Sequence, residues 1–203
     1  HPWIGRIMIF DAALWEARAF CISLVFYHLS EFLIALRYNR LTVSSKSLLL
    51  SAPYVCAMGF AVLEYCTELT LFPTWKRSRW SDSIKCVGLA CAILGDCLRK
   101  AAEVTAATAF THIIQTSKRP EHRVIKHGVY RYIRHPGYLG WFVWSVGTQI
   151  LLCNPVSVVV FLIASLRFFK SRIPFEESAL RRMFPGEYAA YAAVTKTWIP
   201  GIA

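Results

Sequence analysis

Five apolar stretches, separated by polar or proline-containing segments, dominate the pattern of the chain. They cover residues 19–36, 48–72, 84–98, 138–152 and 156–169. A helix needs about 20 mostly apolar residues to cross a bilayer, so each stretch is a candidate membrane span. The Ala- and Thr-rich residues 101–110 can continue the third helix. The pattern predicts an all-α fold, a multipass transmembrane helical bundle with about five spans.

The last two apolar stretches form a predicted hairpin. They are joined by Asn154 and Pro155, and so short a join forces two helices to run antiparallel. The second helix continues past residue 170 into a polar, amphipathic extension, while residues 111–136 form the longest polar segment. We therefore expect one integral-membrane domain, residues 1–203, with membrane helices in 1–110 and a cytosolic loop, the hairpin and a cytosolic C-terminal cap in 111–203.

The composition favours a membrane protein over a soluble one. Hydrophobic residues make up 56% of the chain, charged residues make up 17%, and the mean hydropathy is +0.41. Soluble domains average about 45–50% apolar and about 25% charged residues.

The net charge of +11 is unevenly distributed, because 14 of the 23 Lys and Arg residues fall in residues 99–134 and 167–196. We interpret this bias by the positive-inside rule, which places both segments in the cytosol beside anionic lipid. We predict no nucleic-acid partner. Four basic residues between the second and third stretches oppose this simple topology: Lys76, Arg77, Arg79 and Lys85.

The cysteines and histidines give no sign of a disulfide framework or a metal site. An odd number of cysteines without a CxxC pair, in or beside apolar segments, favours buried, unpaired residues that pack helices. The three histidines His122, His127 and His135 lack a neighbouring ligand at helical spacing, so we predict no metal. Four acidic residues within the apolar stretches either pair with basic residues or line a path: Glu31, Glu64, Glu68 and Asp96.

The sequence from His135 to Tyr138 starts the first helix of the hairpin. Pro136 fits the first position of a helix, where the missing N–H costs nothing. The backbone N–H groups of Gly137, Tyr138 and Leu139 would then be free to attract a carboxylate or phosphate. The alternative is a helix cap at the membrane interface with an aromatic anchor.

Arg172 and Glu176 lie where the second hairpin helix is predicted to leave the membrane. Four residues apart, they could form a surface ion pair worth about 0.2–0.5 kcal/mol. Alternatively, they face the basic loop, since a hairpin places the ends of its two helices side by side. An Arg that binds a carboxylate, next to a Glu that binds a cation, would suit a zwitterionic cofactor and an anionic acceptor. We interpret Glu177, Arg181 and Arg182 as a solvated face.

The same residues resemble those of a known family. The matching positions include His28, Glu31, Gln115, His122, Arg123, Val124, Ile125, Gly128, Tyr130, Arg134, His135, Pro136, Gly137, Tyr138, Gly140, Gln149, Asn154, Pro155, Arg172, Glu176 and Glu177. On these positions the chain resembles the isoprenylcysteine carboxyl methyltransferase family over nearly its whole length. The shorter His-Pro-x-Tyr motif is shared with phospholipid methyltransferases and some sterol reductases.

The resemblance implies a multipass enzyme of the endoplasmic reticulum membrane with its active site facing the cytosol. Such an enzyme transfers a methyl group from S-adenosyl-L-methionine to the C-terminal carboxylate of a prenylated (farnesyl or geranylgeranyl) cysteine, as on small GTPases and other CaaX proteins. Arg172 would be the catalytic residue that holds the substrate carboxylate. The residues that would contact the cofactor are Gln115, His122, Arg123, Val124, Ile125, Tyr130, His135, Pro136, Gly137, Tyr138 and Glu176.

The residues present agree with this chemistry. A C-terminal carboxylate has a pKa near 3.5, so it is ionised at neutral pH and needs no general base. The task is alignment and desolvation, and an Arg can hold a carboxylate in bidentate fashion. We expect the prenyl chain to reach the site from lipid, with Trp141, Trp144 and Phe168 as candidates for that path or as ordinary bundle residues.

Three other functions stay open at this point. One is a phospholipid or other small-molecule membrane methyltransferase that shares the cofactor-binding part of the site. Another is a sterol reductase with a nicotinamide cofactor. The third is a non-catalytic membrane scaffold or transporter, in which the charges act as topology signals. Binding of S-adenosylmethionine would separate a methyltransferase from a scaffold.

Overall fold

The computed structural model describes residues 14–40, 43–115, 117–118 and 122–202, except for the side chain of Lys46. Within these residues, all regular structure is helical apart from one parallel bridge between Ile133 and Lys196. The helices are α1 (Trp15–Tyr38), α2 (Ala52–Leu71), α3 (Pro73–Lys76), α4 (Arg79–Ala106), α5 (Pro136–Leu151), α6 (Pro155–Met183) and α7 (Glu187–Val194). Short 3₁₀ turns lie at Ser45–Leu48, Ala107–Ala109 and Gly128–Arg131. The predicted all-α fold is confirmed.

Each predicted apolar stretch corresponds to one helix, although the second also includes residues 48–51, which precede α2. The boundaries have local causes. Pro73 follows the end of α2 and starts the short α3, because proline cannot donate a helical hydrogen bond but fits a first helical position. The side chain of Ser78 accepts from the backbone N–H of Ser81 and caps α4. From this cap α4 runs unbroken to Ala106, so the predicted continuation of the third helix is correct up to that residue.

Glycines form the seam between α4 and α5. A Cβ atom at Gly95 would lie 2.3 Å from the backbone nitrogen of Trp144, and one at Gly140 would lie 2.6 Å from that of Arg99. The two backbones therefore touch, as small residues permit between membrane helices. Two further glycines repeat the contact about two turns away, one on each helix: Gly88 and Gly147. The seam fixes the start of α5 against the C-terminal half of α4.

The hairpin of α5 and α6 turns at the fully buried Asn154. Its side-chain Nδ2 donates to the backbone oxygen of Ala61 on α2 at 2.8 Å. Glu64, also on α2, accepts from the backbone N–H groups of Val156 at 2.8 Å and Ser157 at 2.7 Å. Glu64 thus caps the start of α6 instead of lining a path. With the turn held in this way, the predicted antiparallel hairpin is confirmed.

Two buried lysines lie beside the hairpin turn. The ammonium of Lys76 contacts four acceptors: Leu152 O at 2.6 Å, Cys153 O and Asn154 Oδ1 at 3.0 Å, and a Glu68 carboxylate oxygen at 2.8 Å. Lys85 donates to the backbone oxygen of Lys76 at 2.8 Å and pairs with Glu16 at 3.2 Å. These two lysines are therefore buried, paired charges and not solvated loop charges, and the orientation of the bundle stays a prediction.

Large apolar side chains face outward on several helices. Within the described part of the chain, α1 and α2 are the two helices long and apolar enough to cross a membrane by length and composition. Exposed apolar side chains also occur on α4 and α6, for example Leu94 and Ile163. Contiguous outward apolar faces of this kind mark contact with lipid or another partner. The number of about five spans stays a prediction.

The cysteines differ from expectation in their burial. All seven are free. Cys153 is buried and Cys91 is half-buried, but five face outward: Cys21, Cys56, Cys66, Cys86 and Cys97. The prediction of buried packing residues is therefore wrong for these five. In a membrane bundle the lipid face is as apolar as the core, so an apolar sequence context does not distinguish the two.

Candidate active site

A cavity of about 670 Å³ opens between the start of α5, the C-terminal part of α6 and the loop that precedes α5. Small-molecule sites typically measure about 300–1,000 Å³. All twelve residues assigned from the sequence to a cofactor or a substrate carboxylate line this cavity: Gln115, His122, Arg123, Val124, Ile125, Tyr130, His135, Pro136, Gly137, Tyr138, Arg172 and Glu176. The fold brings them to one place, and their roles toward a ligand stay predictions.

Tyr138 joins Arg172 to Glu176 at the centre of the cavity. The Tyr138 hydroxyl donates to Glu176 Oε2 at 2.5 Å and accepts from Arg172 Nε at 3.0 Å. Arg172 Nη2 donates to the backbone oxygen of His112 at 2.8 Å. The two charged residues are thus linked through α5, in contrast to the simple surface ion pair that was the alternative. The prediction that the two ends of the hairpin meet is confirmed.

One face of α6 changes from apolar to charged along the cavity. Phe161, Ala164 and Phe168 line its inner part, and Arg172 and Glu176 follow at one-turn spacing. Residues three or four apart share a helix face, so these five form a continuous stripe. The Arg172 guanidinium lies 5.7 Å from the centre of the Phe168 ring. The charged surface therefore begins where the aromatic surface ends.

Aromatic side chains of α2 and α5 extend the apolar part of the cavity. Tyr54 and Trp141 line it beside Phe168, so two of the three aromatic residues predicted for a lipid path lie there. Trp144 does not line the cavity. It is fully buried, stacks on Tyr27 with ring centres 3.9 Å apart, and is a core residue. Of the two alternatives stated for Trp144, the structure supports the ordinary bundle residue.

Glu177 ties the start of α5 to the C-terminal segment. Its carboxylate accepts from Arg134 Nε at 2.5 Å and from His135 Nε2 at 3.1 Å. Arg134 also donates to the backbone oxygens of Ala192 at 3.1 Å and Thr195 at 2.5 Å. The interpretation of Glu177 as a solvated residue is wrong, since only 13% of its side chain is exposed. Burial raises the pKa of Glu177, but the hydrogen bond from His135 and the charges of His135 and Arg134 outweigh burial and lower that pKa.

Tyr191 of α7 closes the cavity from the C-terminal side. Its hydroxyl donates to the backbone oxygen of Tyr130 at 2.6 Å, and both residues line the cavity. Burial raises the pKa of Tyr191 to about 12. The hydroxyl is therefore protonated at neutral pH and keeps its hydrogen bond to the turn that carries Tyr130.

The start of α5 is not the anion site predicted from three free N–H groups. The backbone N–H groups of Tyr138 and Leu139 both donate to the backbone oxygen of His135 at 3.1 Å. The carbonyl of Gly137 accepts from Arg99 Nη1 at 3.1 Å. Two of the three proposed donors are thus used within the helix, so that prediction is wrong. The predicted proline at the first helical position is correct.

Similarity to known proteins identifies the family. The model of the isoprenylcysteine carboxyl methyltransferase (ICMT) family matches residues 87–182. The Arabidopsis thaliana protein-S-isoprenylcysteine O-methyltransferase A is 41% identical over 191 residues, which cover 94% of this chain and 95% of the relative. The chain belongs to the isoprenylcysteine carboxyl methyltransferase family. The resemblance seen in the sequence is thereby confirmed, and the chain is a methyltransferase.

Two further matches agree with this family. The protein-S-isoprenylcysteine O-methyltransferase of Saccharomyces cerevisiae is 42% identical over 188 residues, covering 90% of this chain and 79% of the relative. A solved structure of the eukaryotic intramembrane Ras methyltransferase, isoprenylcysteine carboxyl methyltransferase, aligns with a TM-score of 0.88 and 36% identity. The alignment covers 94% of this chain and 68% of that one. The fold is therefore that of an intramembrane methyltransferase.

Sequence reasoning missed two residues that hold the site of this methyltransferase. Glu177 was interpreted with Arg181 and Arg182 as a solvated face, because its partners Arg134 and His135 lie in another segment of the chain. A signal was present in its position next to Glu176, since consecutive helical residues point about 100° apart and so can reach different partners. His112 was given no role, because its partner Glu31 is 81 residues away in the sequence.

Proposed function

We propose that this chain transfers a methyl group from S-adenosylmethionine to the C-terminal carboxylate of a prenylated cysteine, as carried by small GTPases and other CaaX proteins. The observation that carries the proposal is the cavity whose α6 wall changes from aromatic to charged at Arg172. A prenylated cysteine has the same two parts, a long apolar chain and a carboxylate. The names of the relatives support the same reaction.

The charged end of the cavity fits S-adenosylmethionine by its donor set. Glu176 presents a carboxylate to a cation, whereas His122 and Arg123 offer donors to a carboxylate, and Val124 and Ile125 add apolar surface. When bound, this cofactor would supply an activated methyl group that carries its own leaving group. The eleven residues assigned to it from the sequence would hold it and exclude water, which aligns the reactants and strengthens nearby electrostatic interactions.

Arg172 is the residue that we assign to the acceptor carboxylate. A guanidinium has five N–H groups, and two of them donate to Tyr138 and His112. The others are donors for a carboxylate at the edge of the aromatic surface, where a planar bidentate contact is favourable. The acceptor is already ionised at neutral pH. The task of Arg172 is therefore to fix its orientation, and no side chain has to remove a proton.

We also propose how the chain sits in its membrane. Residues 1–110 would supply membrane helices, residues 111–203 would form the cofactor loop, the hairpin and a cytosolic cap, and about five segments would span the endoplasmic reticulum membrane. The outward apolar side chains and the two basic clusters support this arrangement. The prenyl chain would reach Arg172 from the lipid past Trp141 and Phe168, which line the apolar part of the cavity.

The test is a methylation assay with labelled S-adenosylmethionine and detergent-solubilised protein. We expect methylation of a farnesylcysteine analogue that has a free carboxylate, and none of its amide or of phosphatidylethanolamine. Methylation of the lipid amine would move the assignment to a phospholipid methyltransferase. Protein that neither binds the cofactor nor methylates any of the three compounds would favour a non-catalytic membrane protein.

A further inference from the structure

Glu31 of α1 is completely buried and lies at the centre of a charge cluster. Its carboxylate accepts from Arg99 Nε at 2.6 Å and Nη2 at 2.8 Å, from Lys100, and from His112 Nε2 at 2.9 Å. A second carboxylate, Glu103, lies 3.3 Å from Arg99. The ligand atoms of Glu31, Glu103 and His112 lie within 4.8 Å of one another, a spacing that could hold a metal ion. Arg99 and Lys100 supply the positive charge there.

One branch of this cluster leads to Arg172. The side chain of His112 is bonded to Glu31, and the backbone oxygen of the same residue accepts from Arg172 Nη2 at 2.8 Å. Two residues earlier, the backbone oxygen of Phe110 accepts from Asn39 Nδ2 at 2.9 Å. The segment that carries the acceptor for Arg172 is therefore tied at two points, to Glu31 in α1 and to Asn39 directly after the end of α1. These ties fix the direction in which the His112 carbonyl points.

The other branch leads to the start of α5. Arg99 Nη1 donates to the backbone oxygen of Gly137 at 3.1 Å, and the same guanidinium lies 5.8 Å from the centre of the Phe110 ring. That ring packs so closely on Gly137 that an added Cβ would approach it to 3.3 Å. Arg99 and Phe110 thus hold the backbone next to Tyr138. The two branches meet at the Glu31 carboxylate and again at Phe110, whose ring lies edge-on to the His112 ring with centres 5.6 Å apart.

We infer that Glu31 is a positioning residue for methyl transfer, and that His112 transmits its effect to Arg172 while Arg99 transmits it to Gly137. The inference rests on the proposed function. The first branch orients the partner of the acceptor carboxylate, and the second orients the wall assigned to the cofactor. The hydrogen bonds from His112 to Glu31 and from Arg172 to the His112 carbonyl belong to the first branch alone, so that branch can be weakened by itself. A change at His112 should weaken binding of the acceptor and leave binding of the cofactor intact.

The experiment compares His112→Ala with His112→Gln by equilibrium binding. The ligands are a farnesylcysteine analogue as the free acid, the same analogue as its methyl ester, and S-adenosylmethionine. The ester lacks the charged carboxylate and so reports every contact except the one to Arg172. For His112→Ala we expect the Kd of the acid to rise about tenfold, roughly the effect of one hydrogen bond, and the other two values to change less than about twofold. Gln places a donor near the position of His112 Nε2 and should restore most of the acid binding.

His127→Ala is the matched control, because His127 is exposed, lies in the same loop and does not line the cavity. It should bind all three ligands like the unchanged protein. An unchanged acid Kd in His112→Ala would overturn the inference. Equal weakening of all three ligands, or loss of the folded state, would also overturn it by assigning His112 to stability. Unchanged protein that neither methylates the acid nor prefers it to the ester would instead refute the proposed function, so the two failures are distinguishable.

Discussion

Two cations, Lys76 at one end of the bundle and Arg172 at the other, differ in how many of their hydrogen-bond donors the chain itself occupies. At the hairpin turn, Lys76 is fully buried and its ammonium meets four acceptors from the chain itself. At the opposite end, Arg172 is partly buried, lines a cavity, and gives two of its five N–H groups to the described residues Tyr138 and His112. Both cations lie near glutamates. What differs is whether acceptors of the chain itself occupy all of the N–H donors of the cation.

That difference separates structural from functional buried charge in this methyltransferase. A saturated ion pair has no donor left for a ligand, and removal of one partner leaves the other buried and unpaired. A cation with free donors above a cavity can bind an anion but contributes less to the stability of the free protein. In the sequence, Lys76 and Arg172 look alike, since each lies at the edge of an apolar stretch. Only the tertiary partners distinguish them.

The largest effect on stability is expected for Lys76→Met, which removes the cation whose donors are all occupied by the chain. Glu68 and the carbonyls at the hairpin turn would lose their partner, so we expect the free energy of unfolding to fall by about 3–5 kcal/mol. Denaturant or thermal unfolding in detergent measures this change, with Arg77→Met as the exposed neighbouring control. Protein that remains folded should bind the prenylcysteine acid normally. Weakened acid binding at unchanged stability would contradict a purely structural role.

Arg172→Ala tests the cation whose N–H donors are only partly occupied, and this change should lower turnover. We expect kcat/KM for the farnesylcysteine acid to fall roughly tenfold to a hundredfold, because hydrogen bonds to charged groups contribute about 1.5–3 kcal/mol. Binding of S-adenosylmethionine and the unfolding midpoint should change little. The control is Arg182→Ala, on the same helix but exposed. Equal turnover in the two variants would remove Arg172 from the site.

Glu176→Ala should show the reverse selectivity. Glu176 accepts from Tyr138 at 2.5 Å and is assigned to the cofactor, so we expect the Kd of S-adenosylmethionine to rise about tenfold. Acid binding should fall less, because Arg172 keeps its bond to His112. Glu187→Ala provides a control in which an exposed glutamate is lost. If binding of the acid weakened more than binding of S-adenosylmethionine, Glu176 would be assigned to the acceptor and not to the cofactor.

Local sequence pattern predicted the helices, the hairpin and the meeting of its two ends. Apolar runs marked the helices, the Asn154–Pro155 join predicted the hairpin, and the hairpin in turn predicted that Tyr138 and Glu176 meet. Each of these inferences needs only helix periodicity and a short connection. The family resemblance then added the loop residues, such as Gln115 and His122, which have no periodic signal of their own.

The partners of the charged residues could not be predicted in this way. Glu31 and Arg99 are 68 residues apart, and Lys76 is 76 residues from its acceptor Leu152. No spacing rule relates positions on helices that meet only through packing. Glu177 was wrongly interpreted for the same reason, since the residue that holds it, Arg134, belongs to another segment. The outward-facing cysteines were misplaced because the lipid face and the core of a membrane bundle favour the same residue types.

A smaller effect is expected from Glu177, and it should depend on pH. Its pKa is lowered in the folded protein, so the ionised carboxylate favours the folded state. This stability is present above the ordinary glutamate pKa of about 4.3 and is lost as the pH falls through the lowered value. Unfolding midpoints of the unchanged protein should therefore drop toward acid pH more steeply than those of Glu177→Gln. Parallel pH profiles would contradict the role of Glu177 as the carboxylate that holds Arg134 and His135.

The smallest effect is expected for Asp82→Asn. This change removes one charged partner of Lys85 near the hairpin turn but leaves the buried partner, Glu16, in place. Asp82 pairs with Lys85 at 3.3 Å, but 52% of its side chain is exposed, whereas the Glu16 partner of Lys85 is buried. An exposed pair contributes roughly 0–1 kcal/mol and is screened by salt. We therefore expect the free energy of unfolding to fall by less than about 1 kcal/mol, and less still at high ionic strength. If the free energy of unfolding fell as much as in Lys76→Met, exposure would not decide which charges stabilise the bundle. The contrast between Lys76 and Arg172 would then need another cause.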